Sequence, residues 1–208
     1  MEEAFALVDY DNLDFRRPQQ DATESLVADG LTEIVSTVAR QTVDVIPLLD
    51  RIAIRLYGGW SGESGMPTRL AGMLAAHIPT IPRRYKRTVV IPTLVLGLFE
   101  SSANLRGTYR VRSRGACGRC GAFRTSSFGE QKMVDLLLGL DIHQMAERTD
   151  SAILVFSNDQ DLVPAFLAAA SRAGGRLFWV RELDAGAGPN DASLQDKGVS
   201  IIEIPERT

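Results

Sequence analysis

The sequence predicts an α/β fold with a central, mainly parallel sheet and helices on both faces. Short segments with the length and composition of β-strands lie at residues 5–8, 51–57, 153–156, 176–180 and 199–204. Apolar residues at helical spacing occur between them, at residues 22–41, 66–77 and 130–147. Strands that alternate with helices in this way are typical of a parallel sheet covered on both sides.

In the first part of the chain, the strand at 5–8 runs directly into the polar sequence DYDN at residues 9–12. Residues 14–20 are polar and contain a proline, which indicates a loop. The helix at 22–41 follows, and Gly30 is a point where it could bend or split. The chain therefore begins with a strand that ends in carboxylates.

The next predicted strand, at residues 51–57, alternates apolar and charged side chains, as a half-buried strand does. A helix at 66–77 comes after it. Residues 88–95 are rich in β-branched side chains, which favour a strand. Pro92 lacks the N–H that a central strand needs, so it argues against a regular central strand there.

The second half of the chain contains a wholly apolar strand at 153–156, which stops at the sequence SNDQD. A helical pattern begins at Leu162, so Asp159 and Asp161 lie where a strand ends and a helix starts. Such residues commonly cap helices. The carboxyl edge of an open α/β sheet is also where ligands bind. Residues 186–197 are polar and predict a loop.

Composition places the chain among ordinary globular proteins. Of 208 residues, 45% are hydrophobic and 24% charged, and we expect one domain over residues 1–208. The net charge of −3 gives no overall attraction to nucleic acid, so such a partner would need a local basic patch. No apolar run approaches the roughly 20 residues of a membrane helix. The acidic N-terminal sequence lacks the features of a signal peptide. We therefore expect a cytoplasmic protein with no membrane partner.

Acidic side chains follow two of the predicted strands. Asp9 and Asp11 come after the first strand, and Asp159 and Asp161 after the apolar strand of the second half. If both strands are central and parallel, these carboxylates meet at one edge of the sheet and repel each other strongly. A divalent cation would relieve the repulsion, and ligation by oxygen alone suits Mg²⁺ or Mn²⁺.

The helix at 130–147 offers a third group for this edge. Lys132 and Asp135 are three residues apart and share a face, which is also the arrangement of a common surface ion pair. Asp141 lies on the apolar stripe, where an acid is either paired or functional. Other familiar sites are missing from the sequence. It contains no dinucleotide or P-loop glycine motif, and His77 and His143 are not arranged with a nucleophilic serine.

Three segments together resemble an NYN domain, from the LabA-like branch of the PIN-like nuclease superfamily. They are VDYDNL near the N-terminus, QKMVDLLLGLD at 131–141 and ILVFSNDQDLVPAF at 153–166. The resemblance covers most of the chain and implies a PIN-like, Rossmann-like fold with metal-dependent ribonuclease activity. The sequence departs from the family's pattern at Asn158, where glycine is usual, and at Leu162, where phenylalanine is usual.

The resemblance also implies a set of site residues. The acids that match the family's carboxylates are Asp9, Asp135, Asp159 and Asp161. One or two Mg²⁺ or Mn²⁺ ions would be held by the first three, with the fourth assisting. Asn12 would position a phosphate oxygen or a ligand carboxylate. Lys132 would contact the phosphate or orient Asp135, and Asp141 matches the last acid of the family's helix motif.

An arginine-rich insertion at about 101–128 suits an RNA substrate, or single-stranded DNA. Arginines bind phosphates through paired hydrogen bonds, and Tyr109 could stack on a base. The candidate contacts are Arg110, Arg112, Arg114, Arg119 and Arg124. Residues 83–87 form a second basic run. The alternative for the insertion is a solvated loop without a partner.

Cys117 and Cys120 form a CxxC sequence inside the insertion. Two cysteines are too few for a disulfide framework. A CxxC sequence is half of a zinc site, and Zn²⁺ would need two further ligands from elsewhere in the chain or from another chain. Free thiols and a redox-switchable disulfide are the other states that the sequence leaves open.

Two other functions fit parts of the sequence. Asp9-Tyr10-Asp11 matches the nucleophile motif of a haloacid-dehalogenase-type phosphatase, with Lys132 as its lysine. The chain could also be a non-catalytic module that binds RNA or a protein partner. A homo-oligomer is compatible with each of these hypotheses.

Overall fold

The fold was analysed in a computed structural model, which describes residues 2–13, 21–60, 68–95, 134–183 and 188–204. The strands are β1 (Glu3–Asp9), β2 (Arg51–Tyr57), β3 (Arg84–Tyr85), β4 (Thr88–Leu94), β5 (Ala152–Phe156), β6 (Leu177–Glu182) and β7 (Val199–Ile204). The α-helices are α1 (Glu24–Val45), α2 (Arg69–His77), α3 (Val134–Arg148), α4 (Val163–Ala173) and α5 (Asp191–Asp196).

The strands form one sheet of seven in the order β3-β4-β2-β1-β5-β6-β7. Each neighbouring pair is parallel except β3 and β4, which are antiparallel. The predicted α/β fold with a mainly parallel sheet is therefore confirmed, and it is of the Rossmann-like kind. The chain reverses its direction across the sheet between β1 and β5. In such sheets a crevice opens at the carboxyl ends of the two strands beside the reversal.

Helices cover both faces of the sheet, as the alternation of side chains along β1 requires. Ala6 and Val8 belong to a core with α1 and α2, whereas Leu7 belongs to a second core with α3, α4 and α5. Successive residues of a strand point to opposite faces, so a central strand covered on both sides must be apolar at nearly every position. The predicted placement of helices on both faces is confirmed.

The helix ends follow from local chemistry. The side chain of Thr23 caps α1 by accepting a hydrogen bond from the N–H of Leu26. The helix runs through Gly30, which is buried, so the glycine does not split it. At the other end of the fold, α4 stops at Gly174, whose φ of 57° is left-handed and favours glycine.

The structure decides the expectation about Pro92 and corrects one predicted loop. Pro92 lies within the regular strand β4. The N–H groups of Val89 and Val95 donate to carbonyls of residues 50 and 56, so the alternation turns the nitrogen of Pro92 away from β2. β3 pairs only with the first residues of β4, so this nitrogen faces an unpaired edge, where proline is tolerated. Residues 191–196, predicted as loop, form α5.

Several predictions concern residues outside the described ranges. These are the loop at 14–20, Lys132, and the insertion at 101–128 with its arginines and both cysteines. The described helices include none with the length and hydropathy that a membrane span requires.

Candidate metal centre

Three predicted ligands converge at the carboxyl edge of the sheet. Asp9 is the last residue of β1, Asp159 follows β5, and Asp135 lies in the first turn of α3. One oxygen of each carboxylate lies within 4.8 Å of the others, so the three could hold a metal ion. Because β1 and β5 are parallel neighbours, their ends meet as the sequence predicted, and α3 brings the third acid over them.

Asp9 is held in one orientation by two hydrogen bonds. Its side chain is 0% exposed. Its Oδ2 accepts hydrogen bonds from the hydroxyl of Ser157 at 2.7 Å and from Nδ2 of Asn12 at 2.9 Å. Its Oδ1 is buried and has no hydrogen-bond partner. Burial raises the pKa of Asp9, against the lowering effect of the two hydrogen bonds. The second oxygen is thus desolvated and still lacks a donor.

Asp159 caps a turn with one oxygen and lies beside the cluster with the other. Its Oδ1 accepts a 2.8 Å hydrogen bond from the N–H of Asp161 and so caps the 3-10 turn at Gln160–Leu162. Its Oδ2 lies 3.5 Å from Nδ2 of Asn12, which also bonds to Asp9. Asn12 therefore bridges the two strand-end carboxylates. Capping uses one oxygen of Asp159 and leaves the other beside the cluster.

Asp135 has a strongly raised pKa. Burial, followed by the negative charges of Asp159, Asp9, Asp161 and Asp11, raises its pKa to about 6. Like charges this close disfavour full ionisation. A bound cation would offset this repulsion, because its positive charge would compensate the negative charges of the carboxylates.

The remaining predicted acids lie around this cluster. Asp161 is exposed and is not one of the three converging carboxylates. Asp11 accepts a 2.6 Å hydrogen bond from the N–H of Gly59, just after β2. Both add negative charge near Asp135 without taking part in the three-carboxylate group.

Asp141 is paired, which is one of the two alternatives that its apolar position predicted. Its Oδ2 accepts hydrogen bonds from Nη1 of Arg55 at 2.8 Å and from the hydroxyl of Tyr57. Burial and the charge of Asp141 hold the pKa of Tyr57 well above its usual range. The contacts join α3 to β2, so Asp141 acts outside the cluster.

Sequence reasoning missed Ser157 and the partners of Asn158. Ser157 donates to Asp9 and accepts from the N–H of Asp159 at 3.0 Å, so one buried hydroxyl joins two acids. Asn158 accepts a 2.9 Å hydrogen bond from the N–H of Glu182 and donates to that residue's carboxylate. The sequence feature that could have indicated these roles is a serine and an asparagine placed between a buried strand and two acids.

The chemistry of the cluster fits a hard divalent cation. All its donors are carboxylate oxygens, which Mg²⁺ and Mn²⁺ prefer. Oδ1 of Asp9 has no hydrogen-bond donor, and the pKa values of Asp9 and Asp135 are raised. Both observations indicate that the negative charge of these carboxylates is not compensated. The chain matches no protein-family model, no curated protein and no solved structure, so its function has to be argued from this geometry.

Proposed function

We propose that the chain is a metal-dependent nuclease that hydrolyses phosphodiester bonds, with RNA as its preferred substrate. The observation that carries the proposal is the convergence of Asp9, Asp135 and Asp159 at the carboxyl edge of the sheet, with one buried oxygen that lacks a partner. Phosphodiester hydrolysis needs compensation of negative charge at the phosphate. A cation held by these carboxylates would supply that compensation.

The proposed roles follow from the contacts. Asp9, Asp135 and Asp159 would hold Mg²⁺ or Mn²⁺, and the cation would lower the pKa of bound water and stabilise negative charge on a phosphate. Ser157 and Asn12 both donate to Oδ2 of Asp9 and thereby fix the orientation of this carboxylate. Because the pKa of Asp135 is about 6, a cation at this site would compete with a proton on its carboxyl below about pH 6. The carboxylates then present a preorganised site.

RNA is favoured as the substrate for two reasons. The three sequence motifs resemble a ribonuclease family, and the arginine-rich insertion and residues 83–87 would supply positive charge for the phosphate backbone. Asp161 would assist the cluster from the solvent side, and Lys132 would contact the phosphate. Zinc at Cys117 and Cys120 is not needed for this mechanism.

The deciding experiment compares the wild type with Asp159→Asn on end-labelled single-stranded RNA and DNA, with Mn²⁺ and with EDTA. We expect the wild type to cleave RNA only with metal, and the variant to be at least about 100-fold slower, since even changes to groups that support metal ligands cost 10- to 100-fold. Asp196→Asn, at an exposed position of α5, is the control. The proposal is wrong if the wild type leaves RNA intact and binds no Mn²⁺ in calorimetry.

A phosphatase is the second candidate, because the partnerless Oδ1 of Asp9 would also suit a nucleophile. In that mechanism Asp9 becomes phosphorylated and Asp11 serves as acid and base. Trapping a phosphoaspartate at Asp9 would favour the phosphatase. Loss of turnover in Asp135→Asn but not in Asp11→Asn would favour the nuclease.

A further inference from the structure

Four exposed cations surround one tight turn at the edge of the sheet. Residues 83–87, called the basic hairpin below, comprise the residue before β3, β3 itself and the turn to β4; the cations are Arg83, Arg84, Lys86 and Arg87. Lys86 has a φ of 53°, and its Nζ lies 5.4 Å from the centre of the Tyr85 ring. The basic hairpin therefore presents several charges and one aromatic ring on a single small surface.

The basic hairpin lies at the end of the sheet opposite the acidic cluster. In the parallel register, Val89 pairs with Arg51, and Arg51 with Glu3, at the amino ends of the strands. The cluster lies at the carboxyl end of β1. A strand of seven residues such as β4 spans about 20 Å. The hairpin cations therefore cannot contact the phosphate that the acidic cluster would hold.

The charge of the basic hairpin is not neutralised locally. Among the residues that the structure describes, no carboxylate lies within ion-pair distance of its four cations. Acids at this end of the sheet have other contacts: Glu3 pairs with Arg51 at 3.1 Å, and the carboxylate of Asp50 accepts from the N–H of Glu2 at 2.9 Å. An acidic protein of net charge −3 thus carries a local surface of strong positive charge.

We propose that the basic hairpin is a second contact surface for the RNA substrate, which anchors the phosphate backbone about 20 Å from the site of cleavage. This inference rests on the proposed function for the identity of the polyanion. Arginine and lysine neutralise phosphates, and an adjacent aromatic ring stacks on bases without sequence preference. A membrane surface fits less well. Leu48, beside the backbone that Arg87 contacts, is 65% exposed, and interfacial binding needs a larger apolar face than one leucine supplies.

A remote anchor affects binding and leaves the chemical step unchanged. An RNA long enough to reach both ends of the sheet gains affinity from the hairpin, because the second contact becomes intramolecular once the first has formed. A trinucleotide bound at the acidic cluster is too short to reach it. Neutralising the hairpin should therefore raise the KM of long substrates and leave kcat unchanged.

The test compares Arg84→Gln/Lys86→Gly with Arg148→Gln/Lys197→Gln, which removes two exposed cations elsewhere. Glycine suits the left-handed conformation of residue 86, and Arg87 keeps its contact with the carbonyl of Pro47. Binding of a single-stranded RNA of about 20 nucleotides is measured in EDTA across a salt series. We expect the hairpin variant to bind several-fold more weakly, with a salt slope reduced by about 1.4, or about 0.7 for each lost phosphate contact. The control variant keeps the wild-type slope.

Cleavage assays add a second readout. The hairpin variant should show a higher KM on the long RNA, an unchanged kcat, and wild-type cleavage of a trinucleotide. An unchanged salt slope overturns the inference, as does a variant that loses binding only to vesicles containing phosphatidylserine. If the hairpin variant weakens RNA binding while no form of the protein cleaves RNA, the contact surface stands and the nuclease proposal fails.

Discussion

The hydroxyl of Ser157 donates a 2.7 Å hydrogen bond to Oδ2 of Asp9, and both side chains are fully buried. Asp9 ends β1 and Ser157 directly follows β5, the neighbouring strand, although the two residues are far apart in sequence. The bond helps to fix the orientation of the carboxylate, whose Oδ1 is buried without a hydrogen-bond partner. Ser157 is therefore a positioning residue in the proposed site.

Ser157→Ala should weaken Mn²⁺ binding by about 10- to 100-fold, because groups that orient metal ligands have effects of this size. It should also lower the free energy of unfolding by about 1–3 kcal/mol, since two buried groups lose a hydrogen-bond partner. Calorimetric titration and urea unfolding measure the two effects. The control is Ser200→Ala, at an exposed position of β7. Reduced stability with wild-type Mn²⁺ affinity would mean that the hydroxyl serves the fold alone.

The metal-free protein should become less stable as pH rises from about 4 to about 7. The pKa of Asp135 is raised from 3.8 to about 6, so the folded state binds this proton more tightly than the unfolded state. The contribution is fully present below pH 3.8 and is lost as pH rises through about 6. The raised pKa of Asp9 acts in the same direction.

Thermal unfolding in EDTA checks this pH dependence. Asp135→Asn should flatten the fall in Tm, because the titrating group is gone. Added Mn²⁺ should raise the Tm of the wild type more at pH 7 than at pH 5, since the cation competes with protons for the same carboxylates. Equal Mn²⁺ effects at both pH values would contradict a site built on Asp135.

Asp141→Asn should leave Mn²⁺ binding intact and weaken the fold. Asp141 bonds to Arg55 and Tyr57 and takes no part in the cluster. Loss of its charge should lower the free energy of unfolding by about 1.5–3 kcal/mol, the range for hydrogen bonds to charged groups. Asp135→Asn, on the same helix, should instead abolish Mn²⁺ binding. Loss of bound Mn²⁺ in Asp141→Asn would show that this acid reaches the metal.

Arg181 should be among the most sensitive positions for stability. Its side chain is 2% exposed and bonds to Asp191 at 2.6 Å and to Glu203 at 2.7 Å. Arg181→Met leaves these acids uncompensated and should cost about 3–5 kcal/mol in urea unfolding. Arg172→Met, which removes an exposed pair with Glu147, should cost less than about 1 kcal/mol. Similar losses of unfolding free energy in the two variants would contradict the claim that the buried position of Arg181 sets the size of its effect.

The same ion pair predicts a stability change in acid. The hydrogen bond from Arg181 holds the pKa of Asp191 below its usual range. Stability from this pair is therefore present above the unfolded pKa of 3.8 and is lost as pH falls through the lower folded value. Asp191→Asn should reduce that acid-dependent loss in a pH series of urea unfolding.

Much of the candidate site could be predicted because its signals are local. An apolar strand that ends in carboxylates is visible in a few residues, and parallel pairing then places such ends together. Asp9 and Asp159 were found in this way, and the helical spacing and the resemblance added Asp135. Ser157 could not be assigned a role, because its partner lies on another strand and serines in turns are common. Pro92 argued only against a regular central strand, and its nitrogen does face an unpaired edge; that the strand is nevertheless regular depends on which strand flanks it.

Local pattern was enough to establish most of the strands and helices, the α/β class and the acids at two strand ends, since periodicity and strand ends reflect contacts within short segments. Contacts between distant segments determined the rest. They select which oxygen of Asp9 lacks a partner, pair Asp141 with Arg55, and place the basic hairpin at the far end of the sheet. These features depend on strand order and register, which arise from the packing of the whole sheet rather than from any one segment.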